Sequence, residues 1–322
     1  MNQLTREEID RQITELYKQR LKMNSQIADE NNDRREFISK ILANSPRTFP
    51  DTALVACQGI EGANSQEAAS RVFRYPDIMY FKTFEAVFSA IEAGLCEYGV
   101  LPIENSTAGS VNKIYDLMAD HKCYIVKSTR IKIQHNLLAK PGTKREEITE
   151  ILSHEQALSQ CEDYLRDNFP NAKITECSNT AEASKIVKSS KGKLAAISAP
   201  QCAEIYGLAT LDTNIQDHDN NFTRFICISK YPQIYPGADR TSIMATLPHK
   251  PGSLYHLLGK FEEKGYNLIK LESRPIPASE FEFMFYFDFE ASVEHHEFIN
   301  TICELDQLCA NMTYLGSYAE KV

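Results

Sequence analysis

The chain has 322 residues, more than one hydrophobic core usually supports, so two or three domains are expected. No apolar run approaches the ~20 residues that cross a bilayer, and charges interrupt the first stretch where a secretory signal needs an apolar core, so we expect a cytoplasmic protein. The net charge of −9 disfavours a nucleic-acid-binding surface, and the nine cysteines include no C-x-x-C pair, which disfavours a disulfide framework or a zinc site.

Residues 4–43 are charged, contain no glycine and predict helices. Apolar residues recur at alternating spacings of four and three, as on a helical seam: Ile9, Ile13, Leu16, Met23 and Ile27. Arg20 lies on the same seam. Either its stem packs at the edge of a helix pair while its head reaches water, or it points inward and holds an anion. A second helix is expected over residues 34–42, and Asn44-Ser45-Pro46 ends it.

From residue 53 to residue 230, short β-rich runs alternate with amphipathic helical stretches, which indicates an α/β fold. Strands are predicted at residues 53–57, 97–103, 123–128, 173–177, 194–198 and 223–229. Helices are predicted at residues 66–73, 84–93, 156–167 and 181–188. This much α/β sequence predicts two lobes, and a cleft between lobes is where a small ligand is expected.

Proline and glycine in residues 231–237 predict a linker, and residues 238–322 predict a further domain. Its elements are expected in this order: a strand at 242–247, a helix at 251–265, strands at 267–274 and 281–290, a helix at 293–305 and a strand at 312–315. This βαββαβ order indicates a small ferredoxin-like α+β unit.

The most informative segment is residues 215–225, where polar residues crowd the start of a strand. Thr223 and Arg224 alternate along that strand, so one faces a cleft and the other faces its wall or the neighbouring lobe. A second segment, LPIENS at 101–106, brings three polar residues to a strand end, where ligand groups collect in α/β folds: Glu104, Asn105 and Ser106. Each segment alone also fits ordinary structure, namely a solvated arginine beside a strand threonine, or a serine that caps the next helix.

Three further polar segments stand at predicted junctions between a strand and a helix: residues 59–65, 153–158 and 179–181. Each alone also fits a simple helix cap, because Ser, Thr and Asn are the usual capping residues. His154 by itself is weak evidence for acid–base chemistry.

Together these segments resemble the prephenate dehydratase family. The resemblance rests on five ordered motifs between about residues 55 and 229: LPIENS with GSV after it, S-H-x-Q-A-L, N-T-A, AAIS with YGL downstream, and IQD followed by N-x-TRF. It implies a catalytic domain over residues 52–231 with two lobes like those of periplasmic binding proteins. It also implies conversion of prephenate to phenylpyruvate in L-phenylalanine biosynthesis, without a metal or a cofactor.

The resemblance assigns Thr223 to the leaving hydroxyl. A threonine hydroxyl is a weak acid, so we expect it to donate a hydrogen bond or to relay a proton. Glu104 would repel a dianion unless it is paired, so we expect an arginine partner and an orienting role for it. The expected substrate-binding residues are Glu104, Asn105, Ser106, Ser153, His154, Gln156, Asn179, Thr180, Asn221, Arg224 and Phe225.

Residues 238–322 resemble an ACT regulatory domain through PGSLY at 251–255 and ESRP at 272–275. The resemblance implies that L-phenylalanine binds these motifs at a domain interface and lowers activity, in a homodimer or homotetramer. The implied regulatory residues are Gly252, Ser253, Leu254, Tyr255, Glu272, Ser273, Arg274 and Pro275.

Residues 1–46 resemble the beginning of a chorismate mutase module, with Arg20 at a position where that family binds substrate. Gln3 and Asn31 replace two expected cations, and a third helix has no counterpart. Because compact folding of a dianion takes several cations, we expect an assembly element without appreciable mutase activity. A bifunctional chorismate mutase/prephenate dehydratase is the alternative. A non-catalytic amino-acid sensor and a solute-binding protein are the rival classes.

Overall fold

The computed structural model describes residues 34–276 and 282–321. The predicted seam that carries Arg20 lies outside the described residues. The first elements are α1 Arg34–Asn44, β1 Thr52–Gln58, α2 Asn64–Val72, β2 Tyr75–Phe81, α3 Phe84–Glu92, β3 Tyr98–Asn105, β4 Gly109–Ser110, α4 Asn112–Asp120, β5 Tyr124–Lys132 and β6 Asn136–Ala139. They are followed by a 3-10 turn, Arg145–Glu147, and by β7 Glu150–Ser153, α5 Glu155–Ser159, α6 Glu162–Asn168, β8 Lys173–Glu176, α7 Thr180–Ser189, β9 Leu194–Ser198, α8 Gln201–Tyr206 and β10 Ala209–Asp212.

The remaining elements are β11 Phe222–Ser229, β12 Arg240–Thr246, α9 Ser253–Glu263, β13 Leu268–Pro275, β14 Phe283–Glu290, α10 Phe298–Leu308, β15 Asn311–Tyr318 and β16 Glu320–Lys321. Contacts divide the described chain into two compact units. The larger unit holds residues 50–117, 128–227 and 321, and the smaller unit holds residues 34–49, 118–127, 228–276 and 282–320. In the described ranges, none of the helices combines the length and the apolar character needed to cross a membrane.

The larger unit has the two predicted α/β lobes. One sheet has the strand order β5-β11-β3-β1-β2, in which β1 pairs in parallel with β2 and β3. The other sheet has the order β10-β6-β9-β7-β8, with β7 parallel to β8 and β9. The chain passes between the lobes after β5 and again before β11. These two crossover segments bond to each other, since the Ile133 N–H donates to the Asn221 carbonyl at 2.8 Å.

The smaller unit contains the predicted βαββαβ arrangement, β12-α9-β13-β14-α10-β15. Its antiparallel sheet has the order β13-β14-β12-β15, with Ile243 opposite both Phe287 and Tyr314. Helix α1 packs into the same core through its apolar face: Phe37, Ile38 and Ile41. Arg34 reinforces this packing, because its Nε lies 3.4 Å from the Asp306 carboxylate of α10. The predicted helix over residues 34–42 and the ferredoxin-like unit are confirmed.

Two helix predictions are wrong in their extent. Residues 156–167 form two helices, α5 and α6, because the chain breaks at Gln160 and Cys161 and the Asp217 side chain accepts from the first N–H groups of α6. The helix predicted at 293–305 begins only at Phe298, after a turn. The sequence analysis also missed β2, β4, β6, β7, β10, β16, α4 and α8, whose short or mixed patterns give little periodic signal.

Candidate active site

A cavity of about 560 Å³ lies in the larger unit and is lined by residues of both lobes. Seven of the predicted site residues line it: Asn105, His154, Gln156, Asn179, Thr180, Thr223 and Phe225. Among the described residues that line the cavity, none is Asp, Glu, Lys or Arg. An anion in this cavity therefore meets neutral hydrogen-bond donors rather than a formal positive charge.

Thr223 lies near the start of β11, and its oxygen accepts a hydrogen bond from Asn105 Nδ2 at 2.9 Å. The orientation of the Asn105 amide is fixed, because its Oδ1 accepts from the backbone N–H groups of Thr107 at 3.0 Å and Ala108 at 2.8 Å. Backbone N–H groups can only donate, so the other end of the amide must be the NH2 group. The hydrogen of the Thr223 hydroxyl is therefore left to donate to a ligand in the cavity.

Asn105 begins a chain of polar side chains that passes from one lobe to the other. Its Nδ2 donates to Asn221 Oδ1 at 2.7 Å, and Asn221 Nδ2 donates to Gln160 Oε1 at 3.0 Å. The same Gln160 oxygen lies 2.9 Å from His135 Nε2. Asn221 and His135 are only 2% and 4% exposed, so this chain is shielded from water and its bonds are correspondingly strong.

Ser106 holds the end of β3 against the start of β11 and is not among the described residues lining the cavity. Its Oγ donates to the Asn220 carbonyl at 3.0 Å and accepts from the Phe222 N–H at 2.9 Å. Its own backbone N–H donates to the Phe222 carbonyl at 2.8 Å. These bonds fix the distance between the strand ends that carry Asn105 and Thr223.

Glu104 has the arginine partner that the sequence predicted. Alternation along β11 places Thr223 in the cavity lining and the next residue on the opposite side of the strand. Arg224 Nε lies 2.8 Å from Glu104 Oε1, and the two side chains are 2% and 26% exposed. Neither of them lines the cavity, so the pair braces β3 against β11 and leaves the cavity without a formal charge.

The second lobe contributes residues at the starts of helices. Asn179 caps α7 through its Oδ1, which accepts from the Glu182 N–H at 2.8 Å, and Thr180 is the first residue of that helix. His154 caps α5, since its Nδ1 accepts from the Gln156 N–H at 3.2 Å.

Ser153 differs from the other predicted residues of this lobe. Its Oγ is fully buried and donates to the Ile197 carbonyl at 2.6 Å, which joins β7 to β9. It is absent from the described lining of the cavity, so the structure gives it a supporting position behind His154.

Sequence reasoning missed His135 and Gln160, which both line the cavity. Gln160 lies in the break between α5 and α6, which the single predicted helix concealed. His135 lies on the first crossover segment without a surrounding motif. Burial depresses the pKa of His135 below its usual value, although the bond to Gln160 opposes that shift. The ring is therefore neutral near neutral pH.

The IQD motif at 215–217 packs behind these two residues. The Ile215 N–H donates to the His135 carbonyl at 2.9 Å, and Gln216 Oε1 accepts from the His135 N–H at 3.0 Å. The Asp217 N–H donates to the Gln160 carbonyl at 2.8 Å. The motif therefore positions His135 and Gln160 through their backbones.

Comparison with known proteins identifies the family. The family model described as prephenate dehydratase matches residues 55–233, which is more than half of the chain. The chain belongs to the prephenate dehydratase family. It is accordingly a carbon–oxygen lyase of phenylalanine biosynthesis.

Two relatives and one solved structure illustrate the similarity. The Arabidopsis thaliana arogenate dehydratase/prephenate dehydratase 1, chloroplastic, is 37% identical over 281 residues, covering 82% of this chain and 71% of that protein. A bifunctional chorismate mutase/prephenate dehydratase of Stutzerimonas stutzeri is 34% identical over 292 residues, covering 89% and 78%. The crystal structure of the Arthrobacter aurescens prephenate dehydratase in complex with L-Phe is 28% identical, with a TM-score of 0.75 over 83% of this chain and 89% of that one.

The two ACT-like motifs of this prephenate dehydratase chain lie at different places in the smaller unit. Gly252 precedes α9 with a φ of 87°, and Ser253 and Leu254 line a second cavity of about 580 Å³. Tyr255 is 75% exposed. The ESRP residues lie on β13, and none of them is among the described residues that line that cavity: Glu272, Ser273, Arg274 and Pro275.

Proposed function

We propose that this chain converts prephenate to phenylpyruvate and that Thr223 hydrogen-bonds the departing hydroxyl group. The observation that carries the proposal is the direction of one hydrogen bond. Because Asn105 donates to Thr223, the hydroxyl hydrogen of Thr223 remains for the substrate. A threonine held in this way acts as a donor aimed at developing negative charge, and no proton has to leave it.

The reaction requires that the prephenate dianion be correctly oriented and that the leaving hydroxide receive one proton. The bond between the ring carbon and its carboxylate breaks, and that electron pair enters the ring. The ring double bonds shift, the opposite carbon–oxygen bond breaks, and hydroxide leaves. Hydroxide then takes one proton to become water, so prephenate dianion plus a proton yields phenylpyruvate anion, CO2 and water. Aromatisation favours the products, so the protein mainly orients the dianion and stabilises the leaving oxygen.

Neutral groups suit the dianion in this reaction. A full cation beside the departing carboxylate would stabilise the starting state more than the transition state, in which that charge disperses. The cavity instead presents amides, hydroxyls and the first residues of helices, whose N–H groups attract carboxylates. Helix α2 starts at Asn64 without a side-chain cap, and α7 starts at Thr180. We propose Gln156, Asn179, Thr180 and Asn64 as donors to substrate oxygens, while Asn105, whose two N–H groups bond Asn221 and Thr223, supports Thr223.

Arogenate is the competing substrate, because the Arabidopsis relative carries both names. Arogenate has an ammonium group where prephenate has a keto oxygen. Burial of an ammonium without a carboxylate partner is costly, and no described residue that lines the cavity is Asp or Glu. Prephenate is therefore the better fit.

The test compares the two substrates on the purified full chain. We expect phenylpyruvate from prephenate with a kcat/KM at least about tenfold above that for conversion of arogenate to phenylalanine, which corresponds to about 1.4 kcal/mol. A chain that turns over neither substrate overturns the proposal, and a preference for arogenate overturns the choice of substrate.

L-Phenylalanine is the proposed effector, and its site is proposed to include Gly252, Ser253, Leu254, Tyr255, Glu272, Ser273, Arg274 and Pro275. The L-Phe complex of the Arthrobacter relative supports this assignment. The separation of the two motifs in one copy of the chain fits a site that two copies complete, and so does the exposure of Tyr255. A homodimer or homotetramer follows from this proposal, and sedimentation equilibrium tests it.

The N-terminal segment is proposed to assemble the protein and to lack appreciable chorismate mutase activity. In support, Arg34 contacts Asp306 and Arg35 Nη2 donates to Asn300 Oδ1 at 2.6 Å, so both arginines are engaged with α10. The alternative is a bifunctional chorismate mutase/prephenate dehydratase, which is the name that the Stutzerimonas relative carries. Protein-dependent loss of chorismate that Arg20→Ala abolishes would establish the bifunctional enzyme. A cytoplasmic location stays a prediction from the sequence.

A further inference from the structure

A row of hydrogen-bonded side chains ends at Thr223, and backbone groups fix the donor-to-acceptor direction of its bonds at that end. The Thr107 and Ala108 N–H groups donate to Asn105 Oδ1, so the opposite end of that amide is the NH2 group. This group meets Thr223 Oγ1 at 2.9 Å and Asn221 at 2.7 Å, and the Asn221 atom that receives it must be Oδ1. The Asn221 NH2 group therefore points toward Gln160.

The same reasoning reaches His135. The Gln160 atom that receives the Asn221 NH2 group, 3.0 Å away, must be Oε1. The His135 Nε2 atom that lies 2.9 Å from this oxygen must therefore carry a hydrogen. The backbone N–H groups of Thr107 and Ala108 therefore fix the orientation of three amides in turn, and the last of these requires a donor at the His135 imidazole. A donor at His135 completes the chain, whereas an acceptor there would face the Gln160 oxygen with no hydrogen between the two atoms.

The protein holds His135 rigidly in this position. Its side chain is 4% exposed, and its backbone N–H and carbonyl both bond to residues 215 and 216 of the second crossover segment. Among the described residues, no partner bonds its Nδ1, which is buried. The backbone of His135 is thus held at both its N–H and its carbonyl, and the one ring nitrogen with a partner in the described part of the chain, Nε2, faces Gln160.

We infer that His135 is a positioning residue of the dehydratase reaction, which holds Gln160 and Asn221 in place behind Asn105 so that the Asn105 amide stays on Thr223. The inference rests on the proposed function. Loss of the His135 donor removes one of the two hydrogen bonds to Gln160 Oε1, so Gln160 is held only by Asn221 and by its longer bond from Nε2 to Thr107 Oγ1 at 3.3 Å. Gln160 is then less firmly placed, and so is Asn221, which bonds both Gln160 and Asn105. Asn105 is the group that holds Thr223.

The experiment compares three variants of the purified full chain. His135→Gln keeps an N–H donor near the position of Nε2, and His135→Leu removes it. Gln134→Leu is the matched control, because Gln134 Nε2 donates to Asn214 Oδ1 at 2.8 Å, a bond that joins the same two crossover segments outside the chain of amides. We expect His135→Leu to lower kcat at least about tenfold, roughly 1.4 kcal/mol, with a smaller change in KM. His135→Gln and Gln134→Leu should stay within about threefold of the parent kcat.

Two further readouts separate positioning from other roles. In the nitrogen NMR spectrum of the free protein, the His135 ring should be neutral with its hydrogen on Nε2. The kcat–pH profile of His135→Gln should keep the parent shape, because the bond to Gln160 needs only a donor. A hydrogen on Nδ1 of the neutral ring, a full kcat in His135→Leu, or a lost limb in the pH profile of His135→Gln would each overturn the inference.

Failure of the proposed function is distinguishable from failure of this inference. If the parent chain does not turn over prephenate, the proposed function fails while the NMR readout still reports the polarity of the chain. If the parent is active and His135→Leu matches it, only the inference about His135 fails. Thermal unfolding of each variant identifies any that does not fold, and His135→Phe then replaces His135→Leu as the variant without a donor.

Discussion

Asn105→Asp tests the direction of the hydrogen bond at Thr223 with almost no change in shape. The introduced carboxylate keeps one oxygen for the backbone N–H groups of Thr107 and Ala108, and it places a second oxygen where the NH2 group stood. That oxygen would face Thr223 Oγ1 at 2.9 Å and Asn221 Oδ1 at 2.7 Å. With Asn221 in its present orientation, the donor that the described residues offer there is the Thr223 hydroxyl, which turns away from the substrate and toward the new carboxylate.

The expected loss follows from removal of one donor to the transition state, which costs about 2.7–4 kcal/mol, or roughly 10²–10³ in kcat. KM should rise as well, because the new carboxylate repels a dianion in a cavity without formal charge. Initial rates of phenylpyruvate formation over a range of prephenate concentrations measure both constants.

The double variant Asn105→Asp/Thr223→Val provides the strict test. Both changes remove the Thr223 hydroxyl hydrogen as a donor to the substrate. The kcat of the double variant should therefore lie close to that of the single variant with the lower kcat. If the two losses multiply, or if Asn105→Asp keeps kcat within about tenfold of the parent, the assigned hydrogen-bond direction is wrong.

Three further predictions concern stability and regulation. Glu104→Gln should lower the free energy of unfolding in urea by about 3 kcal/mol, because it removes the carboxylate that contacts buried Arg224; a loss below about 1 kcal/mol would contradict a bracing role. Between about pH 7.5 and about pH 5.5 the parent should lose more stability than His135→Gln, because burial depresses the pKa of His135 in the folded state and the unfolded chain binds that proton first. Equal losses of unfolding free energy in the two proteins over this pH range would argue against a buried neutral ring. Calorimetry should detect L-phenylalanine binding to the parent and weaker binding to Arg274→Ala; undiminished binding to that variant would move the site elsewhere.

The sequence located the strand ends that build the site. LPIENS and N-x-TRF fall where β3 ends and β11 begins, and β-rich runs are strong signals because their apolar residues are continuous. Strand alternation also predicted that Thr223 and Arg224 face opposite sides of β11. Charge alone predicted that Glu104 has an arginine partner, since an unpaired carboxylate beside a dianion site is unfavourable, and the structure identifies that partner as Arg224.

The chain of amides could not be predicted from the sequence. Its members come from four separate segments, and their neighbours in sequence carry no shared period: Asn105, His135, Gln160 and Asn221. Gln160 enters the cavity only because the helix breaks there, and the break depends on Asp217, a residue that lies more than 50 positions away in sequence. The break depends on tertiary contacts, which local helix propensity does not contain.

The matched pair Thr223→Val and Thr223→Ser tests the central claim most directly. Valine keeps the shape of the side chain and lacks the hydroxyl, whereas serine keeps the hydroxyl and lacks the methyl group. With purified full chain and saturating prephenate, we predict that Thr223→Val lowers kcat by about 10²-fold or more while Thr223→Ser stays within about tenfold of the parent. A kcat for Thr223→Val within about threefold of the parent would remove the hydroxyl from the mechanism and contradict the account.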